Sequence, residues 1–111
     1  MTKPLTKESI LRTLREELPN LRERFGVERI ALYGSFAKGD FTEGSDVDVL
    51  IHLSRPLGLE FVALAEHLEK VLGRKVDLAT FETLQRSVRH PRYRTIASNI
   101  VRSLIYVQEE A

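Results

Sequence analysis

The chain has 111 residues, enough to bury one core, and residues 1–111 are expected to form a single domain. Its formal net charge of +1 gives no global pull toward nucleic acid or a membrane surface, and the lack of cysteine excludes disulfides, zinc-thiolate sites and thiol catalysis together. No apolar run approaches the ~20 residues of a membrane span and Met1-Thr2-Lys3-Pro4 leads into no apolar signal core, so a cytoplasmic protein without direct nucleic-acid binding is expected.

Thr6 reads as an N-cap, with Glu8 in the first turn near the positive end of the helix dipole. Ile10, Leu11, Leu14, Leu18, Leu21 and Phe25 then recur at helical spacing, and arginines and glutamates fill the other side. Pro19 falls inside this pattern. It lacks a backbone donor and crowds the preceding turn, so a kink or a break into two helices is expected there. Gly26 ends the helix. Val27 to Tyr33 is a short apolar run that suits a buried strand, and Gly34 stops it. Ser35 to Lys38 can begin a short helix, Gly39-Asp40 marks a turn, and Thr42 to Ser45 is loop-like.

Val47, Val49, Ile51 and Leu53 alternate with Asp46, Asp48, Leu50 and His52, which predicts a strand with one buried face. Leu59 to Leu72 is an amphipathic helix with Phe61, Leu64, Ala65, Leu68, Val71 and Leu72 on one face, capped by Gly73. Lys75 to Ala79 reads as a third strand. Leu84 to Arg94 is basic and breaks at His90-Pro91 before a last helix, roughly 92–102. Leu104 to Val107 is a candidate closing strand, and Glu109-Glu110-Ala111 a polar tail.

The chemistry concentrates between Tyr33 and Leu53. Residues two apart on a strand share a face, so Asp46 and Asp48 present carboxylates about 6–7 Å apart at the backbone. Two like charges so close call for a cation. Mg²⁺ fits, because it prefers carboxylate and phosphate oxygens, and two ions can be shared in a clamp on a phosphoryl group. Gly34-Ser35 complements the pair, since glycine lets the backbone approach a ligand and the serine hydroxyl adds a phosphate donor. Lys38 can reach the same phosphates or lie on the solvated surface, and Ser45 can join the phosphate site, or cap or orient the loop into Asp46.

Gly-Ser, a ten-residue gap and Asp-Val-Asp before an apolar strand resemble the signature of the nucleotidyltransferase superfamily that includes DNA polymerase β. Gly34-Ser35-Phe36-Ala37-Lys38-Gly39 with Ser45-Asp46-Val47-Asp48-Val49-Leu50-Ile51 is similar to its smallest members, the minimal nucleotidyltransferases (MNT). The resemblance runs from the first helix to Tyr106. It implies an α+β fold, a small mixed sheet of three to four strands flanked by helices. It implies Asp77 as a third carboxylate on a later strand, two Mg²⁺ ions ligated by Asp46, Asp48 and Asp77, and nucleotidyl transfer from a triphosphate, with ATP as substrate. It also implies a HEPN toxin partner in a hetero-oligomer, neutralised when a tyrosine hydroxyl receives AMP.

Other residues have plainer readings. His67 is expected at the surface and Tyr33 in the core, while His52 shares a face with Asp48 and is a candidate accessory group. The basic segment Arg86, Arg89, His90, Arg92 and Arg94 is expected to be a solvated face, and it departs from the MNT pattern, as does Arg102-Ser103 before the last strand. Two further functions compete with protein adenylylation: an antitoxin that acts by occlusion alone, and an aminoglycoside-type transferase acting on a small molecule. The latter enzymes carry an added helical domain that this sequence lacks.

Overall fold

The computed structural model describes residues 5–107, so Met1-Thr2-Lys3-Pro4 and the Glu109-Glu110-Ala111 tail lie outside the described residues. The elements in chain order are α1 (Lys7–Phe25), β1 (Val27–Tyr33), α2 (Gly34–Lys38), β2 (Val47–Leu53), α3 (Glu60–Leu72), β3 (Val76–Thr80), α4 (Phe81–Arg89), α5 (Arg94–Ser103) and β4 (Ile105–Tyr106). The sheet runs β3-β2-β1-β4; β2 and β3 are parallel, joined through α3, and the other pairs are antiparallel. This is the mixed α+β architecture implied by the sequence.

Helix α1 starts where expected. Thr6 Oγ1 accepts from the Ser9 amide at 3.1 Å and Ser9 Oγ accepts from the Thr6 amide at 2.9 Å, a reciprocal capping box. The expected break at Pro19 does not occur, and the helix runs through it. The physical reason is tertiary. Leu14, Leu18, Leu21 and Phe25 form one buried stripe that spans the proline, while Pro19 faces solvent, where water can replace the missing bond. Gly26 closes the helix at φ 73°, with its amide donating to the Arg22 carbonyl at 3.1 Å.

The sheet is covered on both sides, which corrects the expectation of one buried face for β2. Ile30, Leu32, Val47, Val49 and Ile51 point to α1 and α3, where they meet Leu14, Leu18, Leu64 and Leu68. The alternate positions, Ala31 and Leu50, are covered by Phe81 and Leu84 of α4 and Ala97 of α5, so Leu50 is only 1% exposed. On α3 the buried stripe is Leu64, Leu68 and Leu72, and Val71, expected on that face, is exposed. His67 is not a surface residue: it is half-buried and pairs through Nε2 with Glu17, tying α3 to α1.

Candidate active site

The sheet register assembles the site. Tyr33 on β1 pairs with Asp48 on β2, and Asp48 pairs with Asp77 on β3. Directly opposed residues share a face, so the three side chains form one row across the sheet, on the side of α4 and α5. Asp46 immediately precedes β2 and is exposed, as is Asp77, whereas Asp48 between them is half-buried. Burial, and then the charges of Asp77 and Asp46, push the Asp48 carboxyl from its ordinary 3.8 up to about 6. Burial followed by Asp48 and Asp77 likewise pushes the Tyr33 hydroxyl up to about 12. Both shifts come first from burial and second from the negative charge gathered on this row.

Gly34 stands at the end of β1 with φ 73°, a conformation that L side chains disfavour. A Cβ built there would overlap Asp48 Oδ2 and lie 3.0 Å from its Cγ. Only glycine therefore turns the chain from β1 into α2 while leaving room for the carboxylate. Ser35 follows in α2, where its carbonyl accepts from the Gly39 and Asp40 amides at 2.9 and 3.1 Å, closing the short helix. The Gly34 amide faces the other way and meets Ser103 Oγ of α5 at 3.5 Å. Lys38, at the end of α2, is exposed and lines the same small cavity as Gly34 and Ser103.

Ser45 is placed beside the site, with its hydroxyl occupied. Its Oγ accepts from the Thr42 amide at 2.8 Å and contacts Thr42 Oγ1 at 3.3 Å, so it braces the loop before Asp46. Arg74 completes that brace and was not singled out from sequence. Its guanidinium donates to the carbonyls of Thr42, Glu43 and Ser45 at 3.2, 2.7 and 3.2 Å. A cation just after the Gly73 stop is the only local signal for it. His52 lies four residues along β2 from Asp48, stacked on Phe81 with ring centroids 3.7 Å apart, and is not brought to the carboxylates. Burial first and Arg29 second lower its pKa. Arg86, Arg89, His90, Arg92 and Arg94 are all exposed.

The donor chemistry fits a hard divalent ion, since three carboxylates offer oxygen ligands and nothing softer. Among the described residues no three such groups already converge on one point.

Residues 11–107 match the nucleotidyltransferase domain family. The protein adenylyltransferase MntA of Thermococcus cleftensis is 38% identical over 104 residues, which cover 93% of this chain and 97% of that protein. A solved structure described as a minimal nucleotidyltransferase superposes with a TM-score of 0.68 at 30% identity, covering 94% of this chain and 98% of the other. A complex of a tri-AMPylated Shewanella oneidensis HEPN toxin with an MNT antitoxin contains a chain of the same fold, with a TM-score of 0.52 at 18% identity and coverage of 94% and 70%. With this match over nearly its whole length, and the Gly-Ser turn set against a row of carboxylates, the chain belongs to the nucleotidyltransferase family, among its minimal members.

Proposed function

We propose that this chain transfers AMP from ATP to a tyrosine hydroxyl of a HEPN-type partner protein, and so acts as the antitoxin of a two-protein module. The observation that carries the reading is the register of Asp48 against Asp77 beside the Gly34 turn. The adenylyltransferase name of the Thermococcus relative and the tri-AMPylated toxin in the Shewanella complex support the donor and the acceptor class.

In this mechanism Asp46, Asp48 and Asp77 would hold two Mg²⁺ ions, which would supply charge neutralisation at the triphosphate. The Ser35 hydroxyl and the Lys38 ammonium hold the phosphates beyond the reacting one. Asp77, exposed at the open side of the row, accepts the proton of the incoming hydroxyl. The acceptor oxygen bonds to the α-phosphorus as the bond to pyrophosphate breaks, and the row's contribution is positioning and electrostatics. Ser45 and Arg74 act indirectly, by fixing the loop that delivers Asp46.

The test is intact-mass spectrometry of the partner encoded beside this chain after incubation with ATP and Mg²⁺. Adenylate-sized increments are expected with the native chain and none with Asp46→Asn or Asp48→Asn. Full neutralisation by the doubly substituted chain without any mass change would overturn catalysis in favour of occlusion.

A further inference from the structure

The carboxylate row continues into a second chamber that the proposed chemistry does not use. One position further along each strand on the same face lie Leu50, after Asp48, and Ala79, after Asp77. These two, with Tyr33, floor a cavity of about 170 Å³ roofed by α4 and α5. Its walls are almost wholly apolar, with Leu84, Ala97 and Ile100 inside and Tyr93 and Ile96 at the mouth. Tyr93 and Ile96 are 47% and 63% exposed, large apolar side chains left in water beside the site. A neighbouring cavity of about 230 Å³ has Lys38, Asn99, Ser103 and the Gly34 turn in its lining. The two cavities share Tyr33, Ile96 and Ile100, so they form one cleft with a phosphate-suited end and an apolar end.

We infer that the apolar chamber between the sheet and α4/α5 seats the base of the nucleotide, and that Ser87 makes it select a 6-amino over a 6-keto purine. This deepens the proposed nucleotidyl transfer and rests on it. The shape argument is continuity: a nucleotide carries its planar apolar group and its phosphates at opposite ends, as the cleft does. Tyr93 at the mouth provides an aromatic face on which a base can stack.

The selectivity argument is a count of protons. Ser87 Oγ lines the chamber and already donates its one proton to the Thr83 carbonyl at 3.1 Å. What Ser87 leaves toward the cavity is an acceptor, while Thr83, the other α4 hydroxyl in the lining, is engaged with Thr80 Oγ1 at 3.0 Å. An exocyclic amine, as at C6 of adenine, can donate to it. A keto oxygen at the same position would set lone pair against lone pair. Rotating the hydroxyl to donate would break its bond to the helix backbone.

Isothermal titration of the full chain in magnesium buffer tests this with ATP, inosine triphosphate and inorganic tripolyphosphate. ATP should bind roughly fivefold or more tightly than inosine triphosphate, the weight of about one hydrogen bond. Ser87→Ala should bring that ratio close to one. Tyr93→Ala should weaken both purine nucleotides by roughly tenfold and leave tripolyphosphate unchanged. Ser87→Leu, which fills the chamber from α4, should have the same pattern, and circular dichroism checks that each variant folds. Equal affinity of the native chain for the two purine nucleotides overturns the selectivity. Native-like ATP binding by both Tyr93→Ala and Ser87→Leu overturns the chamber, even with tripolyphosphate bound normally. If neither ATP nor tripolyphosphate binds, the parent reading falls and this one with it.

Discussion

Gly34→Ala perturbs the tightest point of the site, and its effect can be divided into two parts. The left-handed backbone at φ 73° disfavours any L side chain by ~1–2 kcal/mol. The new Cβ would also press on the Asp48 carboxylate, whose Cγ lies 3.0 Å away, and turning that side chain off its rotamer costs about 0.5–1.5 kcal/mol. The sum is roughly 1.5–3.5 kcal/mol, which for a chain of this size lowers the melting temperature by about 6–28 °C. Urea denaturation of a double-mutant cycle separates the parts. In an Asp48→Ala background the carboxylate is gone, so Gly34→Ala should cost only the backbone share, ~1–2 kcal/mol. An identical cost in both backgrounds would show that the carboxylate does not crowd Gly34, and would refute the account of why glycine stands there. Adenylate transfer by Gly34→Ala should fall in parallel, because the same displacement moves Asp48.

Asp48 should make stability depend on pH in a direction opposite to most carboxylates. Its pKa is raised on folding, from 3.8 to about 6, so its contribution is fully present below about pH 3.8 and is lost as pH rises through 6. Asp48→Asn removes that loss, and should stabilise the metal-free chain at pH 7 by ~1 kcal/mol after discounting for solvent screening, with no difference near pH 4. Thermal melts across pH 4–8 measure this, and millimolar Mg²⁺ should narrow the gap at pH 7. Arg74→Ala should lower adenylate transfer by roughly tenfold while costing only ~1 kcal/mol of stability, because the guanidinium positions a loop and fills no core. Kinetics with partner and ATP test it; native turnover would mean that Asp46 needs no brace.

Much of this protein was legible in its sequence because the signals are local. Helical spacing in α1 and α3, alternation in β2, and glycines after α1 and α3 each follow from the geometry of a few neighbouring residues. The Gly34-Ser35 and Asp46-Val47-Asp48 pattern is local too, and with the strand aspartate at 77 it led to the nucleotidyltransferase family. Contacts between distant segments decided the rest. Pro19 stays inside one helix because a buried stripe on either side of it packs on the sheet. The second face of β2 is buried because α4 and α5 fold back over it, which no alternation within β2 can reveal. Arg74 became a brace, and His67 a partner of Glu17, through approaches of 29–32 and 50 residues respectively. Sequence therefore named the carboxylates and the glycine turn, since strand parity and turn chemistry are written in adjacent residues. Only the tertiary structure set Asp48 between Tyr33 and Asp77 and closed a chamber over that row, because register and packing join residues the chain itself keeps apart.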